Sequence, residues 1–262
     1  MGFLSIAHTD IGIRKNTNQD SVLIKEASTD YGRVHLAVIC DGMGGLAKGE
    51  VASATLIRAF SRWFEEDFPF ILYKERKEER MDFNTLQRSL NRLVDEVNGK
   101  IMAYGASCQA PCGTTLAAIL LAEGHYYIIN VGDSRVYLLR DEMRSLTKDQ
   151  TFVQREIDAG RMTPEEAAVH PQKNVLLQCV GASPVVVPDF FEGVYEAGDV
   201  FLLCSDGFRH VVTQEEFMKI IKPWDLRSEQ EMKDAAVYCT ELNKQRREND
   251  NISVIITKVE QG

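Results

Sequence analysis

Very short connections between apolar segments limit the fold of this chain more than any other feature of its sequence. Residues 115–121, 126–131 and 135–139 are rich in Val, Ile, Leu and aromatic side chains and are predicted to be strands. Only a few polar residues, around Glu123 and at 132–134, separate them. A parallel neighbour needs a crossover of a dozen or more residues, so a helical crossover is excluded at both places and antiparallel pairing is allowed.

Helical patterns and further strand patterns fill the rest of the chain. Residues 49–66 and 84–104 carry apolar side chains at i, i+3 and i+4 spacing and are expected to pack as a pair. A capping box of Thr163 and Glu166 predicts the start of another helix, and residues 229–246 predict the last one. The remaining strand predictions are 21–26, 34–40, 200–204 and 252–258. Paired helices between runs of strands indicate an α+β fold, with antiparallel sheets covered by helices.

Length and composition favour one acidic domain. The 262 residues contain no repeat and no Gly/Ser-rich or Pro-rich linker, so a single domain over residues 1–262 is expected. Acidic residues outnumber basic ones by 39 to 30, and a net charge of -9 repels nucleic acid backbones and anionic membranes. The longest apolar stretch, residues 114–122, is too short to span a bilayer. With no secretory leader and scattered cysteines, the expectation is a cytoplasmic protein without nucleic acid or membrane partners.

Aspartates at the ends of strand-like segments are the most informative polar residues. Asp41, Asp133 and Asp206 follow such segments, and Asp250 precedes one. A single aspartate at such a place is usually a turn former or a cap, but the glycines beside these aspartates let the backbone approach a ligand closely. Carboxylates that converge in one cleft repel one another unless they share protons or bind cations. An all-oxygen ligand set suits Mg²⁺ or Mn²⁺ better than zinc.

Competing site motifs have little support. Residues 42–47 match the dinucleotide-binding fingerprint after a strand and before a helix, but Asp41 directly before them would repel a pyrophosphate. No Walker sequence, G-x-S-x-G elbow or H-E-x-x-H segment is present. His170 precedes a proline and is expected to make a local structural contact. Cys204 has no histidine partner in sequence and is expected to be buried and inert.

Nine short motifs occur along the chain in one order. They are Thr9-Asp10-Ile11-Gly12, Asn18-Gln19-Asp20-Ser21, Asp41-Gly42-Met43-Gly44-Gly45, Gly113-Thr114-Thr115, Val131-Gly132-Asp133-Ser134-Arg135, Leu146-Thr147-Lys148-Asp149, His170-Pro171, Cys204-Ser205-Asp206-Gly207 and Asp250-Asn251-Ile252. In this order the chain resembles the metal-dependent serine/threonine protein phosphatases of the PP2C type, in their bacterial form, over nearly its full length. The resemblance implies a β-sandwich of two antiparallel sheets flanked by pairs of antiparallel helices, with a flap at about residues 149–183.

The resemblance also implies a centre of two Mn²⁺ or Mg²⁺ ions between the sheets. The implied ligands are Asp41 bridging both ions, the carbonyl of Gly42, Asp206 and Asp250, with Asp20 reaching the centre mostly through water and Asp133 at a third, weaker ion. A hydroxide bridging the metals would hydrolyse phosphoserine and phosphothreonine in proteins without a phosphoenzyme, with Asp41 and Asp206 acting through the metals. The implied partners are phosphorylated proteins and a cognate serine/threonine kinase pathway.

Two positions depart from the family pattern. The arginine that often clamps the substrate phosphate falls at Lys15 when counted from Gly12, with Arg14 beside it. Counting favours Lys15 slightly, whereas only Arg14 can form a bidentate fork. In an extended segment the two side chains point to opposite faces, so only one would reach the metal cleft. Met43 stands where many eukaryotic relatives have a histidine, and methionine cannot donate a proton.

Two other functions stay open from the sequence. One is the hydrolysis of small phosphate esters, because a fold and a metal centre do not define the substrate. The other is a phosphatase-fold module that binds without catalysis, which the intact set of aspartates disfavours.

Overall fold

The structure is a computed structural model that describes residues 1–43, 48–74, 76–77 and 80–261, with only the backbone of 76–77. The strands are β1 Gly2–Asp10, β2 Ser21–Thr29, β3 Gly32–Cys40, β4 Arg76–Lys77, β5 Arg80–Met81, β6 Leu116–Ala122, β7 His125–Val131, β8 Arg135–Leu139, β9 Met143–Ser145, β10 Asp189–Val194, β11 Val200–Cys204 and β12 Ile252–Glu260. The helices are α1 Gly49–Glu66, α2 Phe68–Lys74, α3 Phe83–Cys108, α4 Phe152–Asp158, α5 Pro164–Val169, α6 Asp206–Arg209, α7 Gln214–Ile220 and α8 Glu229–Gln245.

Two five-stranded sheets form the centre of the fold. One has the strand order β1-β12-β11-β8-β9 and the other β10-β7-β6-β3-β2, and all of these pairs are antiparallel. The two short connections differ in their effect. β6 and β7 form a hairpin, whereas the turn at 132–134 carries the chain from β7 in one sheet to β8 in the other. No helical crossover occurs at either place, as predicted.

The core has three apolar layers because both faces of each sheet are covered. Along β3, Ala37 and Ile39 lie in the layer between the sheets, whereas Leu36 and Val38 pack in the layer under α1 and α3. This alternation follows from the period of two in a strand. The other sheet packs against α6, α7 and α8 in the third layer. The result is a helix-sheet-sheet-helix sandwich, which confirms the expected α+β fold.

The predicted helices are present and pack as expected. α1 has the predicted limits, and it packs against α3, where the indole Nε1 of Trp63 donates to Oγ of Ser89 at 2.9 Å. The capping box of α5 is formed, because the N–H of Glu166 donates to Oγ1 of Thr163 and the N–H of Thr163 donates to Oε2 of Glu166. In the part of the chain that the structure describes, no helix has the length and apolar character needed to cross a membrane.

Several elements were not predicted from the sequence. β1 and β10 lie at the outer edges of their sheets, and their polar and apolar residues are mixed. β1 is held by β12, with Gly2 opposite Glu260 in a register of nine residue pairs. The helices α2, α4, α6 and α7 have seven residues or fewer, too short for a periodic apolar pattern.

The antiparallel order brings distant parts of the chain to one rim of the sandwich. Ser21 pairs with Cys40, so the residues just outside these positions, Asp20 and Asp41, are neighbours. In the facing sheet Cys204 pairs with Val254, which places residues 205–206 beside residues 250–253. The strand ends that carry the aspartates therefore meet at one place.

Candidate metal centre

Five aspartates converge at this rim, and Asp41 is repelled by the charges of the other four. Its pKa is raised well above the ordinary value, first by burial and then by repulsion from Asp20, Asp206, Asp133 and Asp250. The structure thus brings together all of the aspartates that the sequence singled out as ligands. Repulsion of this kind is relieved either by shared protons or by bound cations.

Asp20 is the second strongly perturbed carboxyl of the cluster. Burial, together with repulsion from Asp206 and Asp250, raises its pKa to about 7, even though hydrogen bonds from Ser253 and Ser205 act in the opposite direction. Its side chain is buried, and Oγ of Ser205 donates to its Oδ2 at 3.1 Å. No cationic side chain of the described residues pairs with Asp20, so its charge would be neutralised by a proton or by a bound cation.

The backbone of Asp41 is fixed by two threonines. Its N–H donates to Oγ1 of Thr115 at 3.0 Å, and its carbonyl accepts from the N–H of Thr115 at 2.9 Å and from Oγ1 of Thr114 at 3.0 Å. Oγ1 of Thr115 also lies 2.7 Å from Oγ of Ser134, beside Asp133. The Gly-Thr-Thr motif thus holds the end of β3 rigidly against the turn between the two sheets.

Within the described part of the chain, two buried carboxylate oxygens lack a hydrogen-bond partner, Oδ1 of Asp20 and Oδ1 of Asp206. A buried charged oxygen without a donor is costly, and a bound cation would remove that cost. Among the described residues, no group of three or more His, Cys, Asp and Glu side chains is arranged to hold a metal ion. Mg²⁺ commonly uses only one or two carboxylates with carbonyls and waters, so the donors present fit a hard cation of that kind.

Glycines allow the close backbone contacts of the centre. A Cβ on Gly42 would lie 2.5 Å from the carbonyl oxygen of Gln19 and 2.6 Å from the backbone of Gly49. A Cβ on Gly207 would lie 2.2 Å from the carbonyl oxygen of Asn251. These two positions therefore require glycine for packing. Gly44 and Gly45, which the motif also contains, lie outside the described residues.

Lys15 and Arg14 have different environments, although residues 12–14 form a turn and not the extended segment considered from the sequence. Nζ of Lys15 lies 2.5 Å from Oδ1 of Asp250, and the lysine side chain is 27% exposed. Arg14 is exposed and makes no ion pair with another described residue. Of these two cations, Lys15 therefore reaches a carboxylate of the cluster and Arg14 does not pair with one among the described residues.

Asp133 pairs with an arginine, which no other aspartate of the cluster does among the described residues. Nη2 of Arg209 donates to the backbone carbonyl of Asp133 at 2.7 Å and lies 3.6 Å from its Oδ2. The pKa of Asp133 is raised to about 7 by burial and by Asp206, with Arg209 acting in the opposite direction. Arg209 lies one helical turn after Asp206 in α6, and the sequence analysis did not consider it.

Asn251 and His210 are further residues of the site whose roles the sequence did not show. Oδ1 of Asn251 accepts from the N–H of Gln19 at 2.9 Å, and its amide donates to the carbonyl of Ile11 at 3.0 Å, so it ties the N-terminal loop to the start of β12. His210 lies with Nε2 3.5 Å from Oδ2 of Asp206. Asn251 belongs to a recognised motif, whereas nothing in the sequence marked His210.

The residues that the sequence set aside behave as expected. Cys204 is fully buried, and burial raises the pKa of its thiol to about 12, which confirms an inert cysteine. Nδ1 of His170 accepts from the N–H of Gln172 at 3.1 Å, and its ring lies 5.6 Å from that of Phe152. His170 therefore makes local contacts. The N–H of Met43 donates to the carbonyl of Gly113 at 3.0 Å.

Comparison with known proteins connects this geometry to one family. The family model described as protein phosphatase 2C matches residues 12–244. The serine/threonine phosphatase Stp of Listeria innocua is 33% identical over 253 residues, which are 95% of this chain and 93% of that protein. The serine/threonine protein phosphatase PstP of Mycobacterium tuberculosis is 34% identical over 258 residues, 97% of this chain and 44% of that longer protein.

A solved structure shows the same fold with metals bound. It is the catalytic domain of the serine/threonine protein phosphatase PstP in complex with two manganese ions, and it covers 99% of both chains at 32% identity with a TM-score of 0.75. The overlap extends over the whole sandwich, including the rim where the aspartates meet.

Proposed function

The chain belongs to the protein phosphatase 2C family and is a serine/threonine phosphatase, and we propose that it removes phosphate from phosphoserine and phosphothreonine in proteins with the help of two Mn²⁺ or Mg²⁺ ions. Such ions, when bound, lower the pKa of a water and offset charge at the reacting phosphoryl group. The binding of two manganese ions by a related catalytic domain supports this proposal.

One observation carries the proposal: the aspartates at the rim form an excess of buried negative charge. The pKa of Asp41 is raised by burial and by four other aspartates, and Oδ1 of both Asp20 and Asp206 is buried without a hydrogen-bond partner among the described residues. We assign the ions to Asp41, the carbonyl of Gly42, Asp206 and Asp250, with Asp20 behind them. A purely structural cluster would be expected to contain a cationic side chain for each carboxylate, because unpaired buried charge is destabilising. Among the described residues, Lys15 pairs with Asp250 and Arg209 with Asp133, and no ion pair is made by Asp20 or Asp41.

Lys15 is proposed to bind the phosphate of the substrate. It is the cationic side chain that reaches the cluster beside Asp250, whereas Arg14 is exposed to solvent. Lysine offers a point charge to the phosphate dianion rather than a bidentate fork. Met43 cannot protonate the leaving serine or threonine oxygen, so that proton is proposed to come from water.

We propose that the chain forms one catalytic domain. The segment at residues 149–183 is proposed to shape its substrate site. It contains α4 and α5, and its base is tied to the centre, because the guanidinium of Arg135 forks onto Asp149 at 2.7 and 2.8 Å. Thr114, next to the threonine that holds Asp41, exchanges two backbone hydrogen bonds with Val180. A peptide bound at the cluster would therefore meet this flap. A serine/threonine kinase would supply such phosphoproteins.

The proposal is tested by measuring phosphate release from a phosphothreonine peptide and from p-nitrophenyl phosphate, with EDTA and with added Mn²⁺. We expect activity on the peptide that EDTA abolishes and Mn²⁺ restores. Asp41→Asn and Asp206→Asn should lose at least about 100-fold in kcat, since each removes charge that offsets the metals, while Asp225→Asn, a surface control, keeps wild-type activity. Activity that persists after exhaustive chelation would refute the metal assignment. Turnover of p-nitrophenyl phosphate without turnover of the peptide would favour the hydrolysis of small phosphate esters.

A further inference from the structure

Asp133 is the one predicted ligand that pairs with an arginine among the described residues. Nη2 of Arg209 lies 3.6 Å from Oδ2 of Asp133, donates to its backbone carbonyl at 2.7 Å, and lies 3.4 Å from Oδ2 of Asp149. The side chains are enclosed, with exposed fractions of 12% for Arg209, 10% for Asp133 and 11% for Asp149. The guanidinium is permanently charged, so this balance does not depend on pH in the physiological range.

The local charge count separates Asp133 from the other aspartates of the rim. Asp133 and Asp149 are matched by two guanidinium groups, because Arg135 also forks onto Asp149. Asp20 and Asp41, in contrast, have no ion-pair partner among the described residues. The rim is therefore divided into a neutral part and a part with excess negative charge.

A cation bound to Asp133 would be close to the guanidinium. Divalent ions of this class sit about 2.1 Å from a carboxylate oxygen, so an ion on Oδ2 would lie within about 6 Å of Nη2 of Arg209. Both charges would share a buried environment in which repulsion is weakly screened. Nη2 of Arg209 is held near Oδ2 of Asp133, because it donates to the carbonyl of Asp133 and to Asp149.

We propose that Arg209 takes the place of a third metal ion at Asp133, so that the loaded enzyme holds two ions and not three. This inference rests on the proposed metal-dependent function and changes one of its sequence-based expectations, the third and weaker ion. The guanidinium has a second effect that a metal would not have, because it also anchors Asp149 at the base of the flap. Arg209 is thus a positioning residue that joins the metal rim to the substrate-side segment.

The test counts bound Mn²⁺ from the electron paramagnetic resonance signal of free Mn²⁺ during titration of the purified chain. Wild type should bind two ions. Arg209→Met, which keeps length and apolar volume but removes the charge, should bind a third ion at least ten times more tightly than wild type does. Adding Asp133→Asn to that variant should return the count to two.

Arg140→Met is the matched control. Arg140 directly follows β8, at the end of the strand away from Asp133, and its guanidinium forks onto the buried Asp199 at 2.6 and 2.8 Å. Its count should stay at two. A count of two for Arg209→Met, or three for wild type, would overturn the inference and leave the proposed function intact. If Arg209→Met does not fold, Asp133→Asn alone decides: an unchanged count supports the inference, and the loss of one ion overturns it. A wild-type protein that binds no Mn²⁺ would refute the proposed function, and this inference with it.

Discussion

Replacing Asp20 by asparagine should make the metal-free protein more stable at neutral and alkaline pH. The pKa of Asp20 is raised from 3.8 to about 7, chiefly by burial and also by repulsion from Asp206 and Asp250. An acid whose pKa is higher in the folded state binds more protons when folded than when unfolded. The stability of the metal-free protein therefore falls as pH rises from about 4 to about 7 and stays low above that range.

The size of this change in stability follows from the pKa shift of Asp20. Each pKa unit corresponds to about 1.4 kcal/mol, so the ionised Asp20 costs the metal-free fold about 4 kcal/mol at pH 8. Asparagine removes the charge but keeps an oxygen that accepts the hydrogen bond from Ser205. This hydrogen bond is weaker by about 1 kcal/mol because its acceptor is neutral. The net gain for Asp20→Asn is then about 3 kcal/mol at pH 8, or about 6 to 12 °C in Tm, and it should vanish near pH 4.

Thermal unfolding of EDTA-treated protein at several pH values measures this gain. Added Mn²⁺ should reduce or reverse it, because bound cations relieve the repulsion in wild type. Asp199→Asn is the matched control, since Asp199 is equally buried but is paired with Arg140, so its loss should destabilise the protein with or without metal. An Asp20→Asn variant that is less stable than wild type in EDTA at pH 8 would refute the reasoning.

Three further predictions concern single positions. Lys15→Ala should lower kcat/KM on a phosphothreonine peptide by roughly 10- to 150-fold, which corresponds to the loss of a charged hydrogen bond. Arg14→Ala should lower kcat/KM much less. Equal losses of kcat/KM in the two variants would contradict the proposed role of Lys15. Gly207→Ala should cost about 1 to 3 kcal/mol in urea denaturation, because its Cβ would lie 2.2 Å from the carbonyl of Asn251; an unchanged midpoint would contradict this. An aromatic disulfide reagent should label a single thiol rapidly in the native protein, the exposed Cys108, and Cys108→Ser should remove that phase; fast labelling of a second thiol would disagree.

The strands that carry the aspartates could be predicted from sequence because both of their faces are buried. β8 and β11 have the predicted limits, and their continuous apolar runs reflect the helices on one side and the second sheet on the other. β1 and β10 gave no comparable pattern, since each is an edge strand with partly exposed residues. Their positions depend on pairing with distant residues, as with Gly2 opposite Glu260.

Which aspartates keep an unbalanced charge could not be predicted, because balance is decided by contacts across the fold. Asp41 and Asp133 look alike in sequence, each following an apolar strand and adjoining a glycine. In the structure Asp133 meets Arg209, which is 76 residues away, whereas Asp41 is repelled by four other aspartates and has no ion-pair partner among the described residues. Only an aspartate with uncompensated charge gains from a cation. The aspartate motifs therefore identify where metals are expected, and in our proposal the position of Arg209 decides how many ions the centre holds.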